Sequence, residues 1–355
     1  MSPRIVLWIF LVAACGDGAA TIDAPISDTV STVDATIDAS EGTNLGTIGN
    51  VPGACASGTL PGTSCQILEI ACPGVAPARV EVRLTAAVGT VKGTVVFGTG
   101  GGGSSFYEAD PTAATMLGQL AQMGYRVVQR KWQTMPNGWI TGPGGMRALA
   151  CRYATLITYL HSTVHFGSVQ TGFCATGNSG GSTELAYALT HYDRGAILDL
   201  AVVTGGPPMG RIDHGCLDAA DATWMTECRA LVPVGSSSCT NGPSCSYAAG
   251  ARQLIDAAWT PATHCAQSDV SFRSSLLDQS VMGASPRLSY PNTRVDFIYG
   301  ADDCTEAVTL GLTYAAAVTS PKQITFVPGT PHATFSTVAG AQAIRNAIIA
   351  DCVPR

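Results

Sequence analysis

Residues 172–189 read GFCATGNSGGSTELAYAL. The stretch opens as the end of a strand, Gly172-Phe173-Cys174-Ala175, and a helix from Ser182 to Leu189 begins close behind it. Between the two stands Gly177-Asn178-Ser179-Gly180-Gly181, the single match in the chain to Gly-x-Ser-x-Gly. Glycines at those places allow a strand to turn sharply into a helix, and the turn lifts the serine hydroxyl to the edge of a sheet. Ser179 is therefore the candidate nucleophile.

Outward from this turn the pattern alternates between extended and helical. Upstream, Val80, Val82 and Leu84 alternate with Glu81, Arg83 and Thr85, as in a half-exposed strand, whereas Thr94-Val95-Val96-Phe97 is a continuous run suited to burial on both faces. A helix is expected from Thr112 to Met123, a strand at Arg126-Val127-Val128, and a long helix from about Met146 to Val164. That helix carries Leu149, Tyr153, Leu156, Ile157 and Leu160 on one side at helical spacing, a core stripe. Downstream come strands at 196–203, 295–299 and 323–327, with helices at 305–318 and from about 338 to 350. Strands alternating with helices predict an α/β fold with a doubly wound, mostly parallel sheet. Between 205 and 292 the alternation fails, and five cysteines (216, 228, 239, 245, 265) fall in that stretch. It reads as an inserted, disulfide-rich cap over the carboxyl ends of the strands, where such sheets bind ligands.

A serine hydroxyl needs a base to become nucleophilic. His332, in Val327-Pro328-Gly329-Thr330-Pro331-His332, follows the last strand at its carboxyl end, the same edge as Ser179. His161, His165 and His191 belong to helices or their ends, and His214 and His264 to the cap. The imidazole in turn needs a carboxylate to fix its tautomer. Asp302 and Asp303 both follow the strand ending Tyr299-Gly300, one as the acid and the other as a helix cap or first-turn residue, with Asp199 as an outside candidate. Donors for an oxyanion are available from Gly180 and from the loop Gly98-Thr99-Gly100-Gly101-Gly102-Gly103, through Gly101 or Gly100. The loop has no Gly-Lys-Ser/Thr, so a phosphate-binding role is not expected.

In order, the glycine loop, the Ser179 motif, Asp303 and His332 resemble the α/β-hydrolase fold over roughly residues 79–352. The family places its acid three residues after the glycine that ends this strand, which favours Asp303 over Asp302. Esterases of the family often have His-Gly-Gly-Gly in the loop; here Thr99 stands at the histidine position. The closing helix of such hydrolases packs near the strand carrying the acid, and the resemblance accordingly implies a Cys304–Cys352 disulfide. It also implies acyl transfer to water, with an ester as the substrate and no metal or organic cofactor. A serine peptidase and a non-catalytic, lipid-anchored binding protein on the same scaffold are the alternatives. Tyr107, Trp132, Trp139 and Trp224 are available to line a substrate pocket or to pack.

The amino-terminal fifty residues have a different character. Arg4 precedes an apolar run, Ile5 to Ala14, too short to span a bilayer, and the run ends Leu11-Val12-Ala13-Ala14-Cys15, which resembles the lipobox of bacterial lipoproteins. We expect a signal peptide over 1–14, a lipid on Cys15, and an acidic disordered linker over 15–52 reaching about 30 Å in root-mean-square terms. The hydrolase domain then covers 53–355, tethered to the cell envelope, at the outer membrane or cell surface. Six acids and Arg4 precede Pro52, so of 25 acids and 19 bases the remainder holds 19 and 18, a net −1. Near-neutrality leaves no footprint for nucleic acid. Thirteen cysteines, twelve without Cys15, fit disulfides in an oxidising compartment, and the absence of Cys-x-x-Cys argues against a zinc site.

Overall fold

The computed structural model describes residues 44–355 apart from 54, 56, 57 and 134–136. The expected signal peptide, Cys15 and the acidic linker as far as residue 43 lie outside the described residues. Among the described residues nine strands form one sheet: β1 Thr47–Val51, β2 Thr63–Ala71, β3 Ala78–Thr85, β4 Gly93–Gly98, β5 Tyr125–Gln133, β6 Gly172–Asn178, β7 Leu200–Thr204, β8 Arg294–Gly300 and β9 Lys322–Val327. Their order is β1-β2-β3-β5-β4-β6-β7-β8-β9. Pairing is antiparallel from β1 through β3 to β5 and parallel from β5 through β4 to β9. This is the mostly parallel, doubly wound sheet expected from the sequence.

The centre of the sheet forms because β4 and β6 are buried along their whole length and carry no charge. Successive residues of β4 turn to opposite faces. Val95 and Phe97 belong to the core on one face, with residues of α1 (Pro111–Gln122) and α9 (Val338–Asp351), and Val96 to the core on the other face, which includes residues of α2 (Gly145–Thr163), α3 (Gly180–Tyr192) and α8 (Glu306–Ala317). Each such side chain contributes about 1.5–3 kcal/mol through its removal from water. Capping fixes where helices begin: Asp110 accepts from the N–H groups of Thr112 and Ala113 at 2.8 and 3.0 Å, with Pro111 in the first turn.

The structure departs from the sequence reading in several places. The end of the expected linker does not stay outside the fold, since Thr47–Val51 pairs with Ile67–Ala71 as β1. Its backbone closes the open edge of β2, and Gly46 N–H donates to Thr155 Oγ1 of α2 at 2.8 Å. In β3, Glu81 and Arg83 are buried rather than exposed. The segment after β4 covers Arg83, which pairs with Glu108 and lies 3.8 Å over the Phe106 ring, while Glu81 accepts from Gln133 of β5. Between β7 and β8 the chain forms four short helices, α4 Ile212–Cys216, α5 Ala222–Ala230, α6 Ala249–Asp256 and α7 Arg273–Asp278. Only part of this insertion reaches the carboxyl edge of the sheet. Gln279 and Val281 pack along α3, where Tyr187 donates to the Gln279 carbonyl and His191 Nε2 lies 3.0 Å from the Val281 carbonyl.

The expected Cys304–Cys352 bond does not form. Cys352 bonds Cys174 and Cys304 bonds Cys239, beside the pairs 55–65, 72–151, 216–265 and 228–245. The reason is direction. The closing helix α9 ends at the amino end of β6, where Cys174 lies, whereas Cys304 follows β8 at the carboxyl edge. A seven-residue strand separates those edges by roughly 20 Å, and a disulfide bridges Cα atoms no more than about 7 Å apart. Cys174–Cys352 closes 178 residues, worth on the order of 5 kcal/mol in the chain-entropy model.

Candidate active site

Ser179 stands between β6 and α3 with φ 54° and ψ −116°, a conformation that costs on the order of 1–3 kcal/mol and needs its surroundings to hold it. Those surroundings are present. Its N–H donates to the Thr204 carbonyl at 2.9 Å, and its carbonyl accepts from Thr183 N at 3.0 Å and Ser182 Oγ at 2.5 Å. A side chain at Gly180 would lie 1.9 Å from the Gly101 oxygen, so the glycine loop rests directly on the elbow and only glycine fits. Gly100 borders Ser179 as well, its Cβ position being 3.6 Å from Ser179 Oγ.

His332 lies on the loop after β9, and Asn178 draws that loop to the elbow. The Asn178 Oδ1 accepts from Thr204 Oγ1 at 3.0 Å and from Thr334 N at 3.2 Å, joining β7, the histidine loop and the residue before Ser179. His332 Nδ1 is 2.8 Å from Asp303 Oδ2. The other Asp303 oxygen accepts from Thr305 N at 3.0 Å and Thr305 Oγ1 at 2.7 Å, so the wholly buried carboxylate is fixed on both sides. Asp302 is exposed and accepts from Ser238 Oγ of the insertion at 2.7 Å. Asp199 sits at the opposite edge, accepting from Phe173 N and Arg355 N, too far along the sheet to meet the histidine. Ser179 Oγ has no hydrogen-bond partner among the described residues. The structure thus brings the acid to the imidazole but leaves the serine hydroxyl unengaged, as unliganded sites commonly do.

The remaining candidates fall into packing. His165 and His191 are buried; burial lowers the His191 pKa to about 4 against the backbone carbonyls that favour its charged form. His214 stacks on Trp224 and His264 on Phe272. Tyr107, Trp132, Trp139 and Trp224 are each at most 2% exposed and belong to the core. Among the described residues no group of three or more His, Cys, Asp or Glu is arranged to hold a metal ion, and no helix is long and apolar enough to cross a membrane.

Sequence reasoning missed three residues. Thr305 orients Asp303, and Arg130 and Glu184 form a wholly buried ion pair beneath the glycine loop. The last two had a signal in the sequence: a charge inside the strand 125–133, and a lone acid in the helix 180–192, can be buried only as partners.

The cation-forming tendency of His332 gives the site a pH signature. Burial works against its charged form, but the hydrogen bond and charge of Asp303, with the charge of Glu306, outweigh burial and hold its pKa above 6.5. A base must be neutral to take a proton, so kcat/KM is expected to fall tenfold per unit on the acid side, with a midpoint above 6.5. Glu306→Gln should move that midpoint down. A pH–rate profile with a p-nitrophenyl ester checks both; a wild-type midpoint at or below 6.5 contradicts the expectation.

No family model and no curated protein matches the chain. Solved structures similar to it include a dienelactone hydrolase from Anabaena variabilis, 12% identical over 82% of this chain and 99% of that one, TM-score 0.46. A carboxyl esterase from Bacillus coagulans is 14% identical over 81% and 97%, TM-score 0.44. An acylaminoacyl peptidase from Pyrococcus horikoshii is 9% identical over 84% and 43%, TM-score 0.47.

Proposed function

We propose that the chain is a serine hydrolase that cleaves carboxylic esters through an acyl-enzyme on Ser179. The observation that carries this reading is the 2.8 Å contact of His332 with a buried, doubly anchored Asp303, on a loop hydrogen-bonded to the strained turn that bears the serine. With Nδ1 donating to Asp303, Nε2 is left as the acceptor for the serine proton. His332 takes that proton as Oγ attacks the ester carbonyl and returns it to the departing alcohol. Water then repeats the sequence on the acyl-enzyme. The negative oxygen is held by N–H groups of Gly180, in the first turn of α3 where helix donors have no internal partner, and of the glycine loop, through Gly101 or Gly100. Labelling by a fluorophosphonate, mapped to Ser179 by peptide mass spectrometry, tests the reading, and an unlabelled, folded protein would overturn it.

We further infer that the chain is exported and held at the membrane by a lipid on Cys15, from the Val12-Ala13-Ala14-Cys15 pattern and the acidic stretch behind it. Cys15→Ala is expected to move the protein out of the membrane fraction or to block its processing. Unchanged membrane association would remove the basis for anchoring.

A further inference from the structure

The carbonyls of the glycine loop are tied into the protein. Thr99 O accepts from Arg130 Nη2 at 3.3 Å, Gly100 O from Gly103 N at 3.0 Å, and Gly102 O from Trp139 N at 3.1 Å. Gly103 O accepts from Arg130 Nη1 at 3.2 Å and from Trp132 N at 2.8 Å. Arg130 is completely buried, and its one acidic partner among the described residues is Glu184 on α3, five residues after Ser179. The second Glu184 oxygen accepts from Trp132 Nε1 at 2.5 Å. One guanidinium therefore joins the nucleophile helix to both ends of the loop. Its planar fork suits this task, because several donors act at once from a single rigid group. The fit is close: a side chain at Gly103 would meet Arg130 Nη1 at 1.9 Å.

A buried ion pair adds little net stability compared with an apolar pair of the same shape, so stability alone does not account for this placement. The peptide geometry does. A trans peptide directs its N–H opposite to its C=O. With the Thr99 carbonyl turned to Arg130, the Gly100 N–H turns away from it, and Gly100 is the loop residue bordering Ser179, its Cβ position 3.0 Å from Ser179 Cβ. No hydrogen bond among the described residues engages that N–H.

We propose that Arg130, held by Glu184, is a positioning residue for the oxyanion: it fixes the Thr99–Gly100 peptide and so presents the Gly100 N–H, alongside Gly180, to the oxygen that becomes negative when Ser179 attacks. This rests on reading Ser179 as the acylating nucleophile. Donor placement matters steeply, since a shift of about 1 Å at a reacting centre can cost on the order of 10²-fold in rate.

Arg130→Lys keeps the charge but cannot reach the carboxylate and both carbonyls together, and Glu184→Gln keeps the shape while removing the charge that holds the guanidinium. Both would be measured on a p-nitrophenyl ester and with a trifluoromethyl ketone, which forms an oxyanion on the serine. The expected result is a fall in kcat on the order of 10²-fold with KM within about threefold, and a trifluoromethyl ketone affinity weakened by the same factor as kcat/KM. Near-UV circular dichroism establishes that each variant is folded, and Glu184→Gln carries the test if Arg130→Lys fails to fold. Wild-type kcat in a folded variant, or a loss confined to KM, overturns the proposal while leaving Ser179 as nucleophile. Absence of fluorophosphonate labelling at Ser179 in the wild-type protein overturns both.

Discussion

Ser179→Ala is expected to lower ester hydrolysis by roughly 10⁴- to 10⁶-fold and to abolish fluorophosphonate labelling, with the fold intact. The size of the effect follows from the division of labour at the site. Without Oγ there is no atom to carry the acyl group, and His332 and Asp303 lose their task together, so removing the serine costs about as much as removing all three. The residue left behind fits. Alanine has the same backbone restrictions as serine, so the strain at φ 54° is unchanged, and among the described residues Oγ makes no hydrogen bond whose loss would be felt. A change in unfolding free energy within about 0.5 kcal/mol is expected. Kinetics on purified variant, with labelling and a thermal melt on the same sample, decide the matter. Activity within tenfold of wild type would place the nucleophile elsewhere.

The second large effect separates two neighbours. Asp303→Asn is expected to reduce kcat by about 10⁴-fold, because an amide in that position can donate to Nδ1 and so hold the imidazole in the tautomer that cannot accept the serine proton. Asp302→Asn, next to it in the chain, should leave kcat within a few-fold, since its carboxylate is exposed and meets Ser238 rather than the imidazole. The two variants have the same change in charge and lie in the same turn. A simple electrostatic or folding effect would lower both alike, and that outcome would contradict the assignment of the acid.

How much of this was legible depended on whether the deciding force was local. The elbow was legible because three glycines around one serine, between a buried strand and a helix, admit few other conformations. β4 and β6 were legible as uncharged apolar runs. β1 was not, because an edge strand needs only backbone partners on one side, and Thr47–Val51 has three exposed residues out of five. The pairing of the cysteines escaped the sequence for a geometric reason: Cys304 follows β8 at the carboxyl edge, but the edge that Cys352 reaches is known only once the direction of α9 is known. Glu81 and Arg83 looked solvent-facing because alternation reports one covered face and says nothing of a distant segment that covers the other. Arg130 and Glu184 are 54 residues apart, and each alone reads as a violation of burial; they make sense only as a pair.

The edge position of β1 also bears on how the molecule carries load. The described chain enters the sheet at β1, five strand spacings from β6, the strand that leads to Ser179, about 25 Å at the usual spacing between strands. Tension along that chain first meets the β1–β2 ladder and the Gly46–Thr155 hydrogen bond. Behind them the Cys72–Cys151 bond fastens the end of β2 to α2 covalently. A pull on the amino terminus is therefore taken up at the rim, and fraying of β1 can absorb it before the elbow strand is disturbed.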